Sequence, residues 1–238
     1  MKLNILAFGA HPDDVEMSAG GTLVKHIELG YTCGIIDLTQ GEMGTRGNIE
    51  TRKEEAANAA KILGVSVREN LKMRDGFFRN DEEHQMLVIE MLRKYQPDIV
   101  FANAISDRHP DHAKAADLLR VSCFLSGLAK VSTFIEGKKQ EAWRPRAVYH
   151  YIQDERLKPD LLIDISSAIE KKMDSIRAYK TQFHNPESKE PETYISKPTF
   201  LDALKGRLLE WGKTIGVDYA EGFTVNKIVG VKDLMELK

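Results

Sequence analysis

Short apolar runs alternate with longer amphipathic segments along most of this chain. The runs at residues 3–8, 33–38 and 98–104 are too short for helices and are bounded by glycine or polar residues, which is typical of buried strands. Segments with helical spacing of apolar residues separate them. Strands that alternate with helices pair in parallel, with helices on both faces of the sheet. The sequence therefore predicts an α/β fold, a Rossmann-like three-layer sandwich around a mostly parallel sheet.

The remaining elements are predicted from helix-capping and helix-breaking residues. Residues 184–198 carry three prolines and predict a long loop. Thr51 with Glu54, and Ser167 with Glu170, have the spacing of capping boxes. With no repeat and no linker, residues 1–238 are predicted to form a single domain. Helices are predicted over 15–29, 51–63, 87–95, 110–128, 167–183 and 199–215, and further strands over 147–152, 161–165 and 228–231.

The charge balance and the cysteine count exclude several classes of protein. The 238 residues carry 34 Lys+Arg and 36 Asp+Glu, a formal net charge of −2, so general binding of nucleic acid is not expected. No window approaches about 18 uninterrupted apolar residues, so no transmembrane helix is expected. Cys33 and Cys123 cannot build a disulfide framework or a cysteine-rich zinc site. The amino terminus lacks the pattern of a signal peptide, and the expected location is the cytoplasm.

Two closely similar turns each join a predicted strand to a predicted helix. Residues 10–14 read AHPDD, and residues 108–112 read RHPDH. Proline is well suited to the first position of a helix because it has no N–H to leave unpaired. The carboxyl ends of parallel strands meet at one edge of the sheet, where α/β proteins bind ligands. We therefore expect a site at the C-terminal edge of the strands, with these candidate residues: His11, Asp13, Asp14, His109, Asp111 and His112.

These histidines and aspartates have two interpretations. An aspartate near a helix N-terminus commonly caps the helix or stabilises its dipole. Three aspartates at one edge, however, repel one another unless a cation offsets their charge. Two imidazoles and one carboxylate with an open position are the ligands of hydrolytic zinc sites, and also of non-haem Fe(II) oxygenases. The residues therefore predict a metal site, while their spacing leaves open which carboxylate binds the metal and which serves as general base.

The two turns resemble the motifs of the LmbE/PIG-L-type family of zinc-dependent N-acetylglucosamine deacetylases. The loop LTQGEMGTRG, the helix TRKEEAANAAKILGV and the segment YAEGF are also similar to that family, so the resemblance covers most of the chain. Within the family, the sequence is most similar to the bacillithiol-biosynthesis deacetylases, which remove acetate from N-acetylglucosaminyl-malate. The resemblance implies a metal-dependent hydrolase that acts on the acetamide of this conjugate, with Zn²⁺ as cofactor and Fe²⁺ as an alternative.

The resemblance also assigns roles to the residues of the two turns. Asp13 corresponds to the general base of the family. His109 corresponds to the histidine that stabilises the transition state or donates a proton. Asp111 is expected to lie behind the ligands and to orient a histidine, an arrangement that commonly matters at metal sites. The zinc ligands of the family correspond to His11, Asp14 and His112.

Three arginines and one tyrosine are candidates for binding the substrate. The malate group would be a dianion, and arginine grips carboxylates through two hydrogen bonds. Arg108 adjoins the second turn, while Arg46 and Arg52 lie in or just after the loop that follows the second strand. A solvated charge, or a pair with a nearby glutamate, is the alternative for each arginine. Tyr194 lies in the proline-containing loop, and the resemblance favours a lid over the site there.

Several other functions would make different demands on these residues. An inositol conjugate of N-acetylglucosamine, or a chitooligosaccharide, would need the same chemistry. A non-catalytic sugar-binding module with a structural metal would normally have four protein ligands and no use for the carboxylate of Asp13. A nucleotide-binding Rossmann enzyme needs a glycine-rich turn where this chain has His-Pro-Asp-Asp.

The expected partners follow from the charge and from the resemblance. The predicted substrate is a small anionic amino-sugar conjugate, and no nucleic acid or membrane partner is expected. The resemblance implies a homo-oligomer, with a hexamer as one expected form.

Overall fold

A single large sheet organises the molecule in the computed structural model, which describes residues 1–231 and 233–236. Short 3-10 helices lie at Ser166–Ala168 and Leu234–Glu236. In chain order the other elements are β1 (Ile5–Gly9), α1 (Asp14–Glu28), β2 (Cys33–Thr39), α2 (Ile49–Leu63), β3 (Val67–Met73), α3 (Glu82–Tyr95), β4 (Ile99–Ala102), α4 (Pro110–Leu125), β5 (Phe134–Ile135), β6 (Lys138–Lys139), β7 (Ala147–Tyr151), β8 (Leu161–Asp164), α5 (Ile169–Arg177), α6 (Phe200–Thr214) and β9 (Ala220–Val225).

The strand order of the sheet is β3-β2-β1-β4-β7-β9-β8. Five neighbouring strands of this sheet, β3, β2, β1, β4 and β7, pair in parallel, whereas β9 is antiparallel to both of its neighbours, β7 and β8. Ile5 of β1 lies opposite Cys33 of β2 on one side and Ile99 of β4 on the other. The chain order reverses between β1 and β4, which creates a crevice at their carboxyl ends. The predicted α/β architecture with a mostly parallel sheet is confirmed.

Helices cover both faces of the sheet because successive residues of a strand point in opposite directions. In β1, Ile5 and Ala7 join the core beneath α1, α2 and α5, whereas Leu6 and Phe8 join the core beneath α3 and α4. All five residues of β1 are buried, so this strand is apolar on both faces. The three layers therefore follow from apolar runs that have no polar face.

Two helix starts differ from the predicted capping boxes. Asn48 caps α2 by accepting a hydrogen bond from the N–H of Thr51, whose hydroxyl accepts one from the N–H of Asn48 in return. The box therefore lies three residues before the predicted one. The start of α5 has no side-chain cap, because a 3-10 turn over Ser166–Ala168 leads into it. Asparagine and threonine satisfy the same free N–H groups as serine and glutamate, which makes the register of a box hard to read from sequence.

Other boundaries also need correction. The edge strand β3 was not predicted, since its sequence VRENLKM is mostly polar. The predicted strand over 228–231 is wrong: these residues are exposed and irregular, and the last strand, β9, is Ala220–Val225. The helix predicted to reach residue 183 ends at Arg177. Residues 184–198 form no helix or strand, as predicted. Among the described residues, no helix has the length and apolar character needed to cross a bilayer.

Candidate metal centre and substrate cavity

Both His-Pro-Asp turns lie where the strand order reverses. The first joins β1 to α1, and the second lies between β4 and α4, with Pro110 in the first turn of that helix. Because β1 and β4 are neighbours, the two turns face each other across the crevice. The structure brings the candidate residues of the two turns together: His11, Asp13, Asp14, His109, Asp111 and His112.

The carboxylate of Asp14 lies between two imidazole rings. Its Oδ1 is 3.1 Å from Nε2 of His112, and its Oδ2 is 3.6 Å from Nδ1 of His11. A ring nitrogen of His109 also lies within 4.8 Å of a ring nitrogen of each of these histidines. Two ligands bound tetrahedrally at zinc distances are about 3.3 Å apart, a value that the two carboxylate–imidazole distances bracket. The donor types and these two distances fit a zinc-sized cation, and His11 also forms a second set of donors, within 4.8 Å of one another, with Asp75 and Asp111.

Further carboxylates hold the outer nitrogens of these two histidines. Nε2 of His11 is 3.0 Å from Oδ1 of Asp75 and 3.4 Å from Oδ2 of Asp111. Nδ1 of His112 is 2.5 Å from Oδ2 of Asp107. A carboxylate on the outer nitrogen fixes the ring and leaves the inner nitrogen free for a metal. The structure places Asp111 beside His11, and it brings Asp75 and Asp107, which no motif indicates, to the same two histidines.

The cluster concentrates negative charge. Burial alone would lower the pKa of His112, but the charge of Asp14 and a hydrogen bond to Asp107 raise it to about 9. Burial also opposes the rise in the pKa of His11, yet hydrogen bonds to carboxylates, Asp111 foremost, hold it well above its usual value. Burial would raise the pKa of Asp14, and the charge of His112 nevertheless holds it well below its usual range. Protonated histidines thus offset the carboxylates when no cation is bound, and a bound cation would displace those protons.

Asp13 lies beside the cluster and does not cap its helix. Although it is the N-cap residue of α1, its side chain makes no capping hydrogen bond. Its Oδ2 accepts a hydrogen bond from Nη2 of Arg52 at 3.3 Å, and the same nitrogen donates to the carbonyl of Pro12 at 2.6 Å. Burial raises the pKa of Asp13 to about 7, while the charge of Arg52 acts in the opposite direction. A carboxyl group with such a pKa is suited to accept and release a proton near neutral pH, and a cation nearby would lower this pKa.

The surroundings of His109 favour a neutral imidazole that can donate a hydrogen bond. It is the N-cap residue of α4, and its Nδ1 accepts a hydrogen bond from the N–H of Asp111 at 3.3 Å. Burial, together with the charges on His11 and His112, lowers its pKa. A neutral imidazole whose Nδ1 accepts a hydrogen bond carries its hydrogen on Nε2. That N–H belongs to a residue lining the cavity, where it can serve an oxyanion.

Two buried amides fix the carboxylate of Asp14 from behind. Asn103, just after β4, donates from Nδ2 to Oδ2 of Asp14 at 3.0 Å. Gln153, just after β7, donates from Nε2 to Oδ1 of Asp14 at 3.1 Å. The amide oxygen of Gln153 in turn accepts from Asn103 and from the N–H of Ala104. Three adjacent strands therefore contribute to the position of the Asp14 carboxylate, and the sequence carries no local signal for the two amides.

A cavity of about 360 Å³ opens onto this cluster. Its polar residues include His11, Asp13, Asp14, His109 and His112. Its apolar walls come from Met17, Met43, Phe77, Ile195, Phe200 and Leu204. A mostly apolar pocket with a few converging polar groups is typical of small-molecule sites.

Three of the four predicted substrate-binding residues line this cavity, namely Arg52, Arg108 and Tyr194. Arg52 is buried and already occupied by Asp13 and the Pro12 carbonyl. Nε of Arg108 donates to Oδ2 of Asp154 at 3.1 Å, and its guanidinium lies 4.3 Å from the centre of the Tyr194 ring. The Tyr194 hydroxyl donates to the other oxygen of Asp154 at 3.0 Å. Arg108 and Tyr194 thus form one connected unit at the rim.

Arg46, the fourth predicted residue, does not line the cavity. Its Nη2 donates to the hydroxyl of Ser188 at 2.7 Å, and its Nε is 3.6 Å from a carboxylate oxygen of Glu190. The N–H of Gly47 donates to the same glutamate side chain at 2.8 Å. Arg46 therefore joins the loop of residues 184–198 to the loop before α2, which is a different position from the substrate contact predicted for it.

Sequence comparison connects this site to a known family. The PIG-L family, described as GlcNAc-PI de-N-acetylase, matches residues 6–123, which include both turns and the carboxylates that hold the histidines. The chain belongs to this family. Membership supports a hydrolase that acts on C–N bonds.

Relatives of this PIG-L family protein carry different names. Diacetylchitobiose deacetylase of Thermococcus kodakarensis is 29% identical over 92% of this chain and 81% of that protein. A probable N-acetyl-alpha-D-glucosaminyl L-malate deacetylase 2 of Bacillus subtilis is 28% identical, covering 76% of this chain and 84% of that protein. The 4-oxalmesaconate hydratase of Pseudomonas putida is also 28% identical, covering 75% and 74%. Family membership thus does not determine the substrate.

The structural comparison supports the same fold along the whole chain. The crystal structure of the conserved protein TT1542 from Thermus thermophilus has a TM-score of 0.86 and 34% identity, and the match covers 98% of both chains.

Proposed function

We propose that this PIG-L family protein is a zinc-dependent N-deacetylase that hydrolyses the acetamide of N-acetylglucosaminyl-malate to glucosaminyl-malate and acetate. The observation that carries the proposal is Asp13, a buried carboxylate that neither caps its helix nor pairs with the histidine cluster beside it. Amide hydrolysis needs a group to polarise the carbonyl and a base to activate water. The cavity contains a set of donors that could hold a cation to polarise the carbonyl, and the Asp13 carboxylate, held by Arg52, could serve as the base.

His11, Asp14 and His112 are the residues that would hold the cation. Zn²⁺ or Fe²⁺ bound there would polarise the acetamide carbonyl and lower the pKa of the attacking water. The outer carboxylates, Asp75 and Asp107 among them, would keep both imidazole rings in the orientation that presents their inner nitrogens.

Asp13 would move the proton. Its carboxylate takes a proton from the attacking water, and it then returns that proton to the departing amine nitrogen, directly or through water. Arg52 orients the carboxylate and keeps its pKa from rising further. His109 would donate from Nε2 to the oxyanion that develops on the acetamide carbonyl, where fixed donors are most effective.

The charge of Arg207 supports an anionic conjugate as substrate. Arg207 lines the cavity from α6, whereas Arg108, at the mouth of the cavity, already pairs with Asp154. A chitooligosaccharide is the second candidate, because a relative named diacetylchitobiose deacetylase aligns with 92% of this chain. An inositol conjugate would use the same chemistry. A sugar-binding module without chemistry would leave the position of Asp13 unexplained.

Location and assembly are part of the proposal. We expect the protein to act in the cytoplasm on a small amino-sugar conjugate and to assemble as a homo-oligomer, with a hexamer as the form to test. Light scattering coupled to size-exclusion chromatography would measure the assembly directly.

The substrate is tested by measuring free-amine release by the Zn²⁺-loaded protein. N-acetylglucosaminyl-malate, diacetylchitobiose and N-acetylglucosaminyl-inositol would be compared under one set of conditions. We expect kcat/KM to be at least about tenfold higher for the malate conjugate, since a charged hydrogen bond contributes that much or more to binding. A higher value for diacetylchitobiose would support the second candidate and contradict the malate assignment.

A further inference from the structure

A smaller cavity of about 160 Å³ adjoins the cavity of the metal centre. The two share a wall that contains Asp154, Tyr194 and Arg207, and α6 contributes Phe200 and Leu204 to both. A substrate that places its acetamide at the metal centre could extend its other end across this wall. We call the smaller space the side cavity.

Arginine side chains outnumber carboxylates around the side cavity. Arg156 and Arg207 line it, and Arg108 lies next to it through its contacts with Asp154 and Tyr194. Asp154 is the carboxylate that lines it, and both of its oxygens are already used. Its Oδ1 accepts from the Tyr194 hydroxyl at 3.0 Å, and its Oδ2 accepts from Arg108 at 3.1 Å. Arg108 is therefore paired with Asp154, so the positive charges that remain around the side cavity are those of Arg156 and Arg207.

Arg207 and Arg156 have no carboxylate within 4.0 Å among the described residues. Nη1 of Arg207 donates to the backbone carbonyl of Gln153, and its Nε is buried without a hydrogen-bond partner. Burial and the positive charge of Arg156 lower the pKa of Arg207, while the charges of Asp154 and Asp107 oppose this. Two guanidinium groups that line one cavity repel each other, and an oxyanion between them would offset that repulsion.

We propose that the side cavity is an oxyanion subsite for the aglycone of the substrate, and that Arg207, assisted by Arg156, determines the preference for anionic conjugates. The inference rests on the proposed deacetylase function and deepens it. Guanidinium groups match carboxylate and phosphate oxygens equally well in geometry. The ligand class is therefore a small aglycone that carries a carboxylate or a phosphate group. Arg207 and Arg156 would bind that group.

The first test is a specificity ratio. The variants Arg207→Gln and Arg207→Lys would be compared with wild type for kcat/KM on N-acetylglucosaminyl-malate and on the neutral diacetylchitobiose. We expect the malate-to-chitobiose ratio to fall about 10- to 100-fold in Arg207→Gln, which corresponds to the loss of one charged hydrogen-bonding group. Arg207→Lys keeps the charge and should lose less. Arg177→Gln, which removes an exposed arginine paired with Asp174 on α5, should leave the ratio unchanged.

The ratio separates recognition from mere support of the fold. Arg207 also bonds to the Gln153 carbonyl, and Gln153 contacts Asp14, so a structural defect would lower both activities together. An equal fall for both substrates, with an unchanged ratio, would overturn the proposal.

The second test measures binding without turnover, so that it remains informative if the proposed function fails. L-malate and glycerol 1-phosphate would be titrated into the Zn²⁺-loaded wild type and into Arg207→Gln by calorimetry. We expect at least about tenfold weaker binding of the anion in the variant, and the tighter of the two anions identifies the source of the oxyanion. Binding that depends on Arg207 without any turnover would retain the subsite and reject the deacetylase function. Anion binding that Arg207→Gln leaves unchanged would overturn the subsite.

Discussion

Asp13 adopts a backbone conformation that aspartate rarely takes, with φ of 119°. Such a conformation costs on the order of 1–3 kcal/mol and persists where the surrounding contacts impose it. Here the chain turns sharply between β1 and α1, and the strained residue carries its carboxylate into the cavity rather than onto the helix N–H groups. The strain therefore falls on the one carboxylate of the first turn that the account assigns to proton transfer.

Replacing Asp13 with asparagine tests this assignment. Asp13→Asn keeps the shape and the contact with Arg52 but removes the basic oxygen, so we expect kcat to fall about 10²- to 10⁴-fold. Zinc content should stay at the wild-type level, because Asp13 is not a proposed ligand. Free-amine release measures kcat, and elemental analysis measures the zinc content. Asp202→Asn, at an exposed position in the first turn of α6, is the matched control and should behave as wild type. Near-normal turnover of a zinc-containing Asp13→Asn protein would contradict the mechanism.

Asp107 supports one of the proposed ligands, His112, from behind. Its contact with Nδ1 of His112 should hold the ring in place and increase its basicity toward a cation. We expect Asp107→Asn to weaken zinc affinity about 10- to 100-fold, as measured by competition with a chromogenic chelator. Asp117→Asn, on an exposed part of the same helix as His112, should leave affinity unchanged. Equal affinities in the two variants would show that Asp107 does not support the ligand.

The residues of the site divide clearly into those that sequence could predict and those it could not. The six histidines and aspartates of the two turns could be predicted, because a strand, a proline and a helix start mark their positions within two short stretches of sequence. Asp75 follows β3, a strand that was not predicted, and Gln153 follows β7 far along the chain. Single polar residues of this kind look like ordinary loop residues until the sheet brings them to Asp14 or His11.

At the scale of the elements, a buried ion pair fixes α1 against its neighbours. Nζ of Lys172, on α5, is 2.7 Å from Oε1 of Glu221, on β9, and both side chains are fully buried. Lys172 also donates to the carbonyl of Glu16 in α1, and Glu221 accepts from the N–H groups of Gly21 and Thr22 in the same helix. Two elements, α5 and β9, are thus joined to α1, the helix whose first turn carries Asp14.

Breaking this pair should destabilise the protein. Lys172→Met leaves Glu221 buried without its cation, and we expect the free energy of unfolding to fall by about 3–5 kcal/mol. Adding Glu221→Gln should restore part of the loss. Urea denaturation measures both. The neighbouring Lys171→Met removes an exposed pair with Glu28 and should cost at most about 1 kcal/mol. If Lys171→Met and Lys172→Met destabilised the protein equally, the anchoring role would be wrong.

The elements that were predicted correctly are those with a strong hydrophobic pattern. β1, β2 and β4 are buried on both faces, so their sequences are short apolar runs. β3 lies at the sheet edge and is only partly buried, which removes that signal. The apolar residues at 228–231 mimic a strand, whereas tertiary pairing with β7 and β8 selects Ala220–Val225 instead.

At the scale of the whole molecule, the site depends on the order of the strands. The reversal between β1 and β4 brings together two turns that are about a hundred residues apart in the chain. The alternation of elements predicts such an edge, yet not the antiparallel β9 or the side cavity. That cavity combines the segment after β7, the loop of residues 184–198 and α6, and packing alone brings these together.

A cation bound at this edge should stabilise the entire fold, because it binds the folded chain and not the unfolded chain. At a free concentration of about 100 times Kd, the gain is about 2.7 kcal/mol. For a chain of this size, that corresponds to a rise in Tm of about 5–10 °C. Differential scanning calorimetry of zinc-loaded and chelator-treated protein measures the shift. Superimposable melting curves from protein shown to take up zinc would be incompatible with a site built into the native structure.

The most direct test of the central claim follows free-amine release from N-acetylglucosaminyl-malate in three preparations of one sample: zinc-loaded, chelator-stripped and reloaded. We expect turnover in the first preparation, loss of turnover in the second and recovery in the third, with one zinc per chain in the active preparations. Turnover that persists in fully stripped protein would contradict it, and so would the absence of turnover on all amino-sugar conjugates from protein that holds one zinc per chain.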